Sequence, residues 1–356
     1  MLVFERCVAS PTEWECICRV FPTWTVFQSS AWLAFLAETQ KGESITARLK
    51  DGDRTVGCYA GVKVRRFGVP ILGSPFAGWN TEYMGLNLLD GVSRRDAIFA
   101  LKDFAFRSQK CIHFELMDRN LTRDDMSDLE IGFTTLDGFE IDLSATEDQL
   151  FSRMSSACRR CIRKAEKCVT VEEAHDPGFA DDYYAQLIDV FAKQRLVPTY
   201  GIERVRHLIK HMEPTGALSL LRARDPEGRC IATFISLGDN GTMFMWGAAS
   251  WREHQILRPN ELLIWKAMKY WKARGMHTFD MGGGGEYKRK YGGCEISIPW
   301  IQVSRYPMMS LLRQAAKKGF RVKQRLAGRW SGWTSPMEPR PASVAAFQEK
   351  SKGHAA

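Results

Sequence analysis

The segment from Phe279 to Gly293 has the residue types and spacing of a functional site. It reads FDMGGGGEYKRKYGG, with four consecutive glycines, an aromatic–lysine pair and a second Gly-Gly. Glycine runs cost conformational entropy and bury no side chain, so they suit positions where the backbone turns sharply or approaches a ligand closely. The segment therefore predicts site architecture rather than core packing.

Two acidic residues in this segment are candidates for the chemistry. Asp280 lies between Phe279 and Met281 on a predicted strand, so it should face opposite to both. It can orient Lys288 or a substrate amine, or it can close the glycine turn, since Asp beside Gly commonly does so. Glu286 is a candidate general base.

Other motifs in the chain exclude several classes of chemistry. The glycine run lacks the GK[ST] of a P-loop and opens no evident helix, so neither ATP nor NAD binding is implied. Cys158 and Cys161 form a CxxC without a second pair at zinc spacing, which argues against a metal site. We expect the ten cysteines to be reduced packing residues. No nucleophile elbow is present, which disfavours a covalent hydrolase.

Length and composition indicate a soluble protein with two domains. A chain of 356 residues exceeds what one hydrophobic core usually supports, and its 45% hydrophobic and 26% charged content is ordinary for globular proteins. Charged residues at 5, 6, 13 and 15 interrupt any signal-peptide pattern, and no apolar run of about 18 residues occurs. The predicted location is the cytoplasm, with peripheral contact at the inner membrane face as an extension.

The net charge of +9 is concentrated in two runs, residues 153–167 and 307–330. Either run alone is adequately explained as a solvated helix face. Two in one chain favour an anionic partner: a nucleotide or phosphopantetheine donor, tRNA or an acidic membrane surface. The second run also carries apolar residues, which predicts peripheral membrane contact through this segment. Residues 331–356 are rich in Pro and Ser, and we expect them to be disordered.

Hydrophobic periodicity and turn residues divide the chain into two halves of similar element order. In the second half, a capping box of Ser144 and Glu147 is predicted to open a helix. The elements predicted after it are a strand (170–174), helices (179–194 and 202–212), three strands (217–224, 230–237 and 242–249), a helix (259–274) and strands (277–281 and 298–304). The first half is predicted as a strand (2–8), helices (12–21 and 30–39), a hairpin (45–50 and 55–64), a helix (94–108) and a strand (112–117).

This order resembles the GNAT acyltransferase fold, and the motifs narrow the resemblance. A basic RRCIRKAEK segment (159–167), a Leu-Leu-x-Trp helix, a Phe-Asp strand and the aromatic–lysine pair before an aromatic-Gly-Gly occur together in FemAB-related proteins. That group includes Fem-type peptidoglycan aminoacyltransferases and CelD-like proteins associated with polysaccharide production. The resemblance implies an α/β (α+β) fold of two GNAT-like domains, each with a mixed, mostly antiparallel sheet flanked by helices. The predicted domains are 1–135 on the acceptor side and 136–306 on the donor side.

The resemblance also implies a donor site. In GNAT enzymes a glycine-rich loop before the third helix binds the CoA pyrophosphate, but the matching loop here, SWREHQILRPN (250–260), has no glycine. We expect Arg252, His254, Arg258 and Asn260 to contact the donor through side chains instead. The aromatic–lysine pair corresponds to Tyr287-Lys288, which places Tyr287 at the donor. Lys288 is the first choice for a catalytic residue, since a cation beside a developing oxyanion favours the transition state; a surface lysine in a flexible loop is the alternative.

The loop 73–85, GSPFAGWNTEYMG, is the candidate acceptor site. Trp79 offers a stacking face, Asn80 a hydrogen-bonding amide and Glu82 a carboxylate near an acceptor amine, with Tyr83 beside them. Alternatively, Trp79 and Tyr83 pack the loop onto its own domain.

These observations predict an N-acyltransferase or aminoacyltransferase without a tightly bound cofactor. The donor would be acyl-CoA, an acyl carrier protein or aminoacyl-tRNA, and the acceptor an amine of a cell-envelope or polysaccharide precursor. The alternative is a non-catalytic GNAT-like binding protein of such a biosynthetic system.

Overall fold

The computed structural model describes residues 1–126, 133–283, 285–306 and 319 of the chain. The described residues form two compact units: unit 1 lies within 1–138, 210–215 and 296–306, and unit 2 within 139–209 and 216–295. The strands are β1 (Leu2–Arg6), β2 (Glu43–Asp51), β3 (Arg54–Arg66), β4 (Val69–Ser74), β5 (Leu86–Leu88), β6 (His113–Met117), β7 (Phe133–Asp142), β8 (Thr170–Glu173), β9 (Leu218–Arg224), β10 (Cys230–Asp239), β11 (Thr242–Ser250), β12 (Thr278–Gly283) and β13 (Cys294–Ser304). The α-helices are α1 (Pro11–Arg19), α2 (Ser30–Gln40), α3 (Arg94–Asp103), α4 (Arg123–Met126), α5 (Glu147–Arg153), α6 (Ser156–Ala165), α7 (Phe179–Lys193), α8 (Ile202–Met212) and α9 (Pro259–Ala273).

Unit 1 is built on a sheet in the order β1-β2-β3-β4-β6-β13, with β5 paired to β3. All of these pairs are antiparallel except β4 with β6. The alternating residues of β2 bury Ile45, Ala47 and Leu49 in a core that α3 covers with Ile98 and Leu101.

Unit 2 has a sheet in the order β7-β12-β11-β10-β9-β8, in which β11 and β12 are parallel and the pairs from β8 to β11 are antiparallel. Helix α9 begins at Pro259, whose fixed backbone suits the first helical position, and ends before Gly275, whose φ of 84° stops the helix. Its apolar residues join Phe279 and Met281 of β12 in the core. Helix α7 packs against β10 and β11.

The mixed, mostly antiparallel fold and the repeated order of elements confirm the predicted fold class. Each unit runs strand, two helices, three antiparallel strands, helix and a parallel strand. The long helix predicted at 94–108 is divided, because α3 ends at Asp103 and a π-helical turn follows over Phe104–Ser108.

One local prediction is wrong, and one strand has a partner that was not predicted. The hydroxyl of Ser144 is held by Asp142, and the capping box of α5 is formed by Thr146 and Gln149. In the segment 298–304, which was expected to complete the second sheet, residues 300–304 pair with β6, with Ile301 opposite Leu116. The predicted basic segment 307–330 and tail 331–356 lie outside the described residues, apart from Gly319.

Candidate functional site

The parallel strands β11 and β12 of unit 2 separate after three residue pairs. Their pairing ends where Phe244 lies opposite Asp280, yet β11 continues to Ser250 and β12 to Gly283. Beyond Phe244, β11 pairs with β10 on its other side. The two strands therefore form a wedge, which we call the β11–β12 wedge, with the strand edge of residues 245–249 along one side.

A β-bulge at Trp246 marks the wedge. Ile235 of β10 lies opposite Gly247 while Ser236 lies opposite Met245, so Trp246 is the extra residue on β11. A bulge bends its strand and locally changes which backbone groups face a neighbour. Here it falls directly beyond the point where β12 leaves β11, so the wedge-side N–H and C=O groups can meet a ligand instead of a strand.

Two tyrosines line the wedge on the face where α7 packs. Tyr183 of α7 shares a hydrogen bond of 2.9 Å with the Tyr200 hydroxyl, and both rings lie near Trp246 at centroid distances of 6.3 and 5.7 Å. Burial raises the pKa of Tyr183 well above its usual value, so the phenol stays protonated. A Cβ on Gly247 would collide with the Tyr183 hydroxyl, so a glycine is needed there. No sequence motif predicted this cluster of Tyr183, Tyr200 and Trp246.

Arg204 lies over the Tyr200 ring. The guanidinium carbon lies 5.7 Å from the centroid of the ring, and burial lowers the pKa of Arg204 to about 10. This cation is close to the aromatic cluster but remains charged at neutral pH.

Asp280 lies at the vertex of the wedge. Phe279 and Met281 belong to the core, so the strand alternation turns Asp280 to the opposite face, as predicted. The residue is fully buried, and its Oδ1 accepts a hydrogen bond of 2.7 Å from the N–H of Gly282, whose φ is 71°. Asp280 thus closes the glycine turn and also presents a carboxylate at the vertex.

Lys288 is buried beneath the glycine loop, with 5% of its surface exposed. Its Nζ donates to the carbonyls of Met281 at 2.6 Å and Gly282 at 3.0 Å, and also to that of Gly283. An ammonium has three N–H donors, so these acceptors match them in number. Lys288 therefore holds the end of β12 in place; its predicted contact with a reacting group remains a prediction.

The neighbours of Lys288 differ in exposure. Tyr287 is half-buried and its pKa is raised by burial. Glu286 is exposed and forms an ion pair of 3.4 Å with Arg289, whereas Lys290 pairs with Glu261 at 2.8 Å. The structure places Glu286 at the surface of the loop that Lys288 anchors.

The N-terminus of α9 has no side-chain cap from its preceding residue. Arg258 precedes the helix with a φ of 61° and makes no side-chain cap, so the first backbone N–H groups are left for another acceptor. Arg258 is exposed and Arg252 half-buried, and within the described residues neither forms an ion pair with a carboxylate. The acid in the first turn, Glu261, is neutralised by Lys290.

The other two predicted donor residues have structural partners. His254 lies between Glu253 at 3.3 Å and Asp225 at 3.9 Å. Asn260 donates from Nδ2 to the hydroxyl of Ser250 at 3.0 Å, which ties the start of α9 to the end of β11. The wedge and the helix N-terminus are therefore joined by a direct hydrogen bond.

Unit 1 lacks both features at the equivalent positions in its described residues. Strand β4 pairs with β6 up to its last residue, Ser74, and the Phe76 ring stacks on His113 at 6.4 Å. Helix α3 is capped by the hydroxyl of Ser93, which accepts from the N–H of Asp96. An open wedge and an uncapped helix thus occur together in unit 2.

The predicted acceptor loop of unit 1 is largely packed inwards. Trp79 and Tyr83 are 4% and 3% exposed; the Trp79 ring packs on Phe76, and the Tyr83 hydroxyl accepts from Arg119. The predicted stacking face of Trp79 is therefore covered. Asn80, whose φ is 51°, and Glu82 are half-buried and reach the surface.

One segment of the chain matches a known family. Residues 152–290 match the family described as the acetyltransferase (GNAT) domain, and this range contains the wedge and α9. The match confirms that this part of the chain is a GNAT acetyltransferase domain, as the sequence predicted.

Solved structures with a similar fold include FemX and a tandem GNAT protein. The chain is similar to FemX, with a TM-score of 0.68 at 13% identity over 86% of this chain and 99% of that chain. It is also similar to a tandem GNAT protein from the clavulanic acid biosynthesis pathway, with a TM-score of 0.53 at 12% identity over 86% of this chain and 99% of that chain. A third similar structure is the C-terminal domain of a putative lysylphosphatidylglycerol synthetase from Agrobacterium fabrum, with a TM-score of 0.53 at 12% identity over 86% of this chain and 96% of that chain.

Among curated proteins, 125 residues of the chain are 27% identical to transcription factor PDR8 from Saccharomyces cerevisiae, a match over 33% of this chain. The chain spans only 17% of that protein's length. None of the helices in the described ranges combines the length and the hydropathy of a transmembrane helix.

Proposed function

We propose that the protein transfers an acyl or aminoacyl group from a thioester or ester donor to an amine of a cell-envelope or polysaccharide precursor, and that the transfer takes place in the β11–β12 wedge. The observation that carries the proposal is the bulged strand edge of β11, which leaves backbone groups at 245–249 beyond the last pair with β12. Backbone N–H groups fixed in a strand can polarise a carbonyl without reorganising during the reaction.

The donor's charged part would bind at the start of α9. A phosphate there would accept from the free N–H groups of the first turn, with Arg252 and Arg258 supplying positive charge. In this loop the two arginine side chains would therefore bind the phosphate in place of a glycine-rich backbone. Such a site suits the pyrophosphate of acyl-CoA and also the phosphates of a carrier protein or a tRNA. The Asn260–Ser250 hydrogen bond would keep the phosphate site and the wedge in register.

In the reaction, the amine nitrogen of the acceptor attacks the donor carbonyl carbon, and the bond to the sulfur or oxygen of the carrier breaks. The amine loses a proton and the departing thiolate or alkoxide gains one. Asp280 at the vertex and the protonated Tyr183 lie on the α7 face of the wedge, where a carboxylate can take a proton and a phenol can donate one. No bond to the enzyme is required.

The loop 73–85 of unit 1 remains the proposed acceptor-binding segment. Asn80 and Glu82 are its accessible polar residues in the loop 73–85, and a carboxylate suits a cationic amine. The second candidate function is a non-catalytic binding protein of the same biosynthetic systems, which would bind the donor or acceptor without turnover.

Calorimetric titration of the full chain with CoA, acetyl-CoA and long-chain acyl-CoA, at low and moderate salt, tests the donor assignment. We expect saturable binding that weakens when Arg252 and Arg258 are both replaced by Gln. Each phosphate contact removed should reduce the slope of log K against log salt by about 1, by analogy with phosphate binding in nucleic acids.

The matched control is Arg274→Gln, which removes a cation from the opposite end of α9, where Arg274 stacks on Tyr270 at 3.6 Å. Equal weakening by the control would show that only net charge matters and would contradict the site. Binding of aminoacyl-tRNA but not CoA would identify the other donor class. Donor binding without release of free thiol in the presence of amine acceptors would favour the non-catalytic function.

A further inference from the structure

The turn between β3 and β4 exposes a phenylalanine at its tip. Arg66 lies opposite Val69, so the hairpin is closed by the two residues Phe67 and Gly68. Phe67 is 98% exposed, and the φ angles of the two turn residues are 52° and 80°. We call Lys41, Arg65, Arg66 and Phe67 the hairpin-tip surface.

Phe67 is unfavourable at this position for two reasons. Two-residue hairpin turns with positive φ at both positions prefer Asn-Gly, because a bulky L-residue is strained in the left-handed region. A fully exposed aromatic ring also leaves its apolar area in water. Backbone strain together with an exposed apolar side chain indicates a functional contact rather than folding stability.

The cations around Phe67 are not neutralised. Arg65 donates to the carbonyl of Gly68 at 3.1 Å, and Arg66 donates to the side chain of Gln40 at 3.4 Å. This contact brings the end of α2, and with it the exposed Lys41, beside the tip. Within the described part of the chain, none of these three cations pairs with a carboxylate.

The opposite end of the same strand has a different character. There the cations Lys50 and Arg54 lie beside Asp51 and Asp53, and the terminal amine pairs with Asp51 at 3.1 Å. At about 3.3 Å per residue the two ends of β3 are roughly 40 Å apart. Positive charge and an exposed aromatic therefore coincide at one end only.

We propose that the hairpin-tip surface docks on an anionic lipid bilayer. Phe67 would enter the boundary between head groups and acyl chains, while Lys41, Arg65 and Arg66 contact lipid phosphates. A bilayer fits better than a protein partner, because a stable protein interface needs about 800 Å² on each side, whereas a single hairpin tip presents one apolar side chain. The proposal is independent of the acyl transfer and of the segment 307–330.

Flotation of the full chain with vesicles of phosphatidylcholine alone, or with phosphatidylglycerol added, tests the docking. The chain should float only with the anionic vesicles. Phe67→Asn should reduce the partition coefficient by roughly tenfold, because the ring's apolar burial is lost. The same variant should raise the midpoint of thermal unfolding, because Asn is favoured in this turn, so reduced flotation is not a folding defect.

Arg65→Gln combined with Arg66→Gln should reduce partitioning by roughly 25-fold, since each cation near an anionic surface contributes a factor of about five. The control is Lys50→Gln combined with Arg54→Gln, which removes the same charge from the opposite end of β3. Retained flotation of the control alongside loss in both tip variants supports the docking surface. Absent flotation of the parent chain, equal loss in the control, or full flotation of Phe67→Asn would overturn it; the first result would leave an acidic protein as the partner.

Discussion

Replacing Lys288 by Met tests whether this lysine holds the glycine loop. The substitution keeps the length of the apolar stem but removes the donors to the carbonyls of Met281, Gly282 and Gly283. Gly283 is exposed, so its carbonyl can return to water, whereas Met281 and Gly282 are buried. Each buried carbonyl left without a donor costs about 1–3 kcal/mol.

Loss of the two hydrogen bonds should lower the free energy of unfolding by about 3 kcal/mol. This figure allows for a partial offset, because the ammonium no longer has to be desolvated on folding. For a unit of this size, that loss corresponds to a fall in Tm of about 6–12 °C. Circular dichroism would follow unfolding, and amide hydrogen exchange would locate faster opening at residues 279–293. The control is Lys167→Met, at an exposed lysine of the same unit.

A Tm shift no larger than that of Lys167→Met would refute this reasoning. If such a stable Lys288→Met variant had also lost transfer activity, Lys288 would contact the reacting group directly, as the sequence resemblance implied. Loss of both stability and activity, with donor binding retained, would agree with a lysine that positions the end of β12.

Three further predictions concern local features of unit 2. Gly247→Ala should lower the free energy of unfolding by about 1–3 kcal/mol, because the added methyl group overpacks against the Tyr183 hydroxyl. In a Tyr183→Phe variant, which lacks that hydroxyl, most of this loss of stability should disappear. Equal losses with and without the hydroxyl would contradict the collision. Thr146→Ala should cost about 1 kcal/mol in chemical denaturation, because the cap of α5 is lost. The hydrogen bond from Arg222 lowers the pKa of Asp176 in the folded state, so its stabilisation is present above the unfolded pKa of about 4 and is lost as the pH falls through the lower folded value. Asp176→Asn should therefore flatten the acid side of the stability profile measured by urea unfolding, and an unchanged slope would contradict this assignment.

The helices and strands could be predicted closely from the sequence where the hydrophobic periodicity and the residues that start or end an element agree. Helix α9 is an example, because Pro259, one broad apolar stripe and Gly275 all indicate the same element. The capping box of α5 shows the limit of local patterns. Ser144 and Thr146 both precede an acidic or amide residue at the required spacing, and the choice between them depends on Asp142, which takes the Ser144 hydroxyl.

The parts of the site that escaped prediction depend on contacts between distant segments. Lys288 lies in a glycine-rich loop, where a lysine is usually exposed, and its burial depends on the carbonyls that β12 presents. The wedge depends on where β12 stops pairing with β11, and Trp246 is recognisable as a bulge only from the register with β10. The pairing of β13 with β6 was missed for the same reason, because the two strands are far apart in the chain.

The pairing of β13 with β6 has a consequence for biosynthesis. The ribosome adds about 5–20 residues per second, so roughly 10–40 s separate the emergence of Met117 from that of Ser304. During that interval β6, whose five residues are all buried in the finished fold, is an unprotected sheet edge. Almost all of unit 2 lies between these two strands in the chain, so it can fold before β13 has been synthesised to complete unit 1. Nascent chains stalled before residue 296 should therefore recruit chaperones to the first unit, and slow codons in that region would prolong the period of risk.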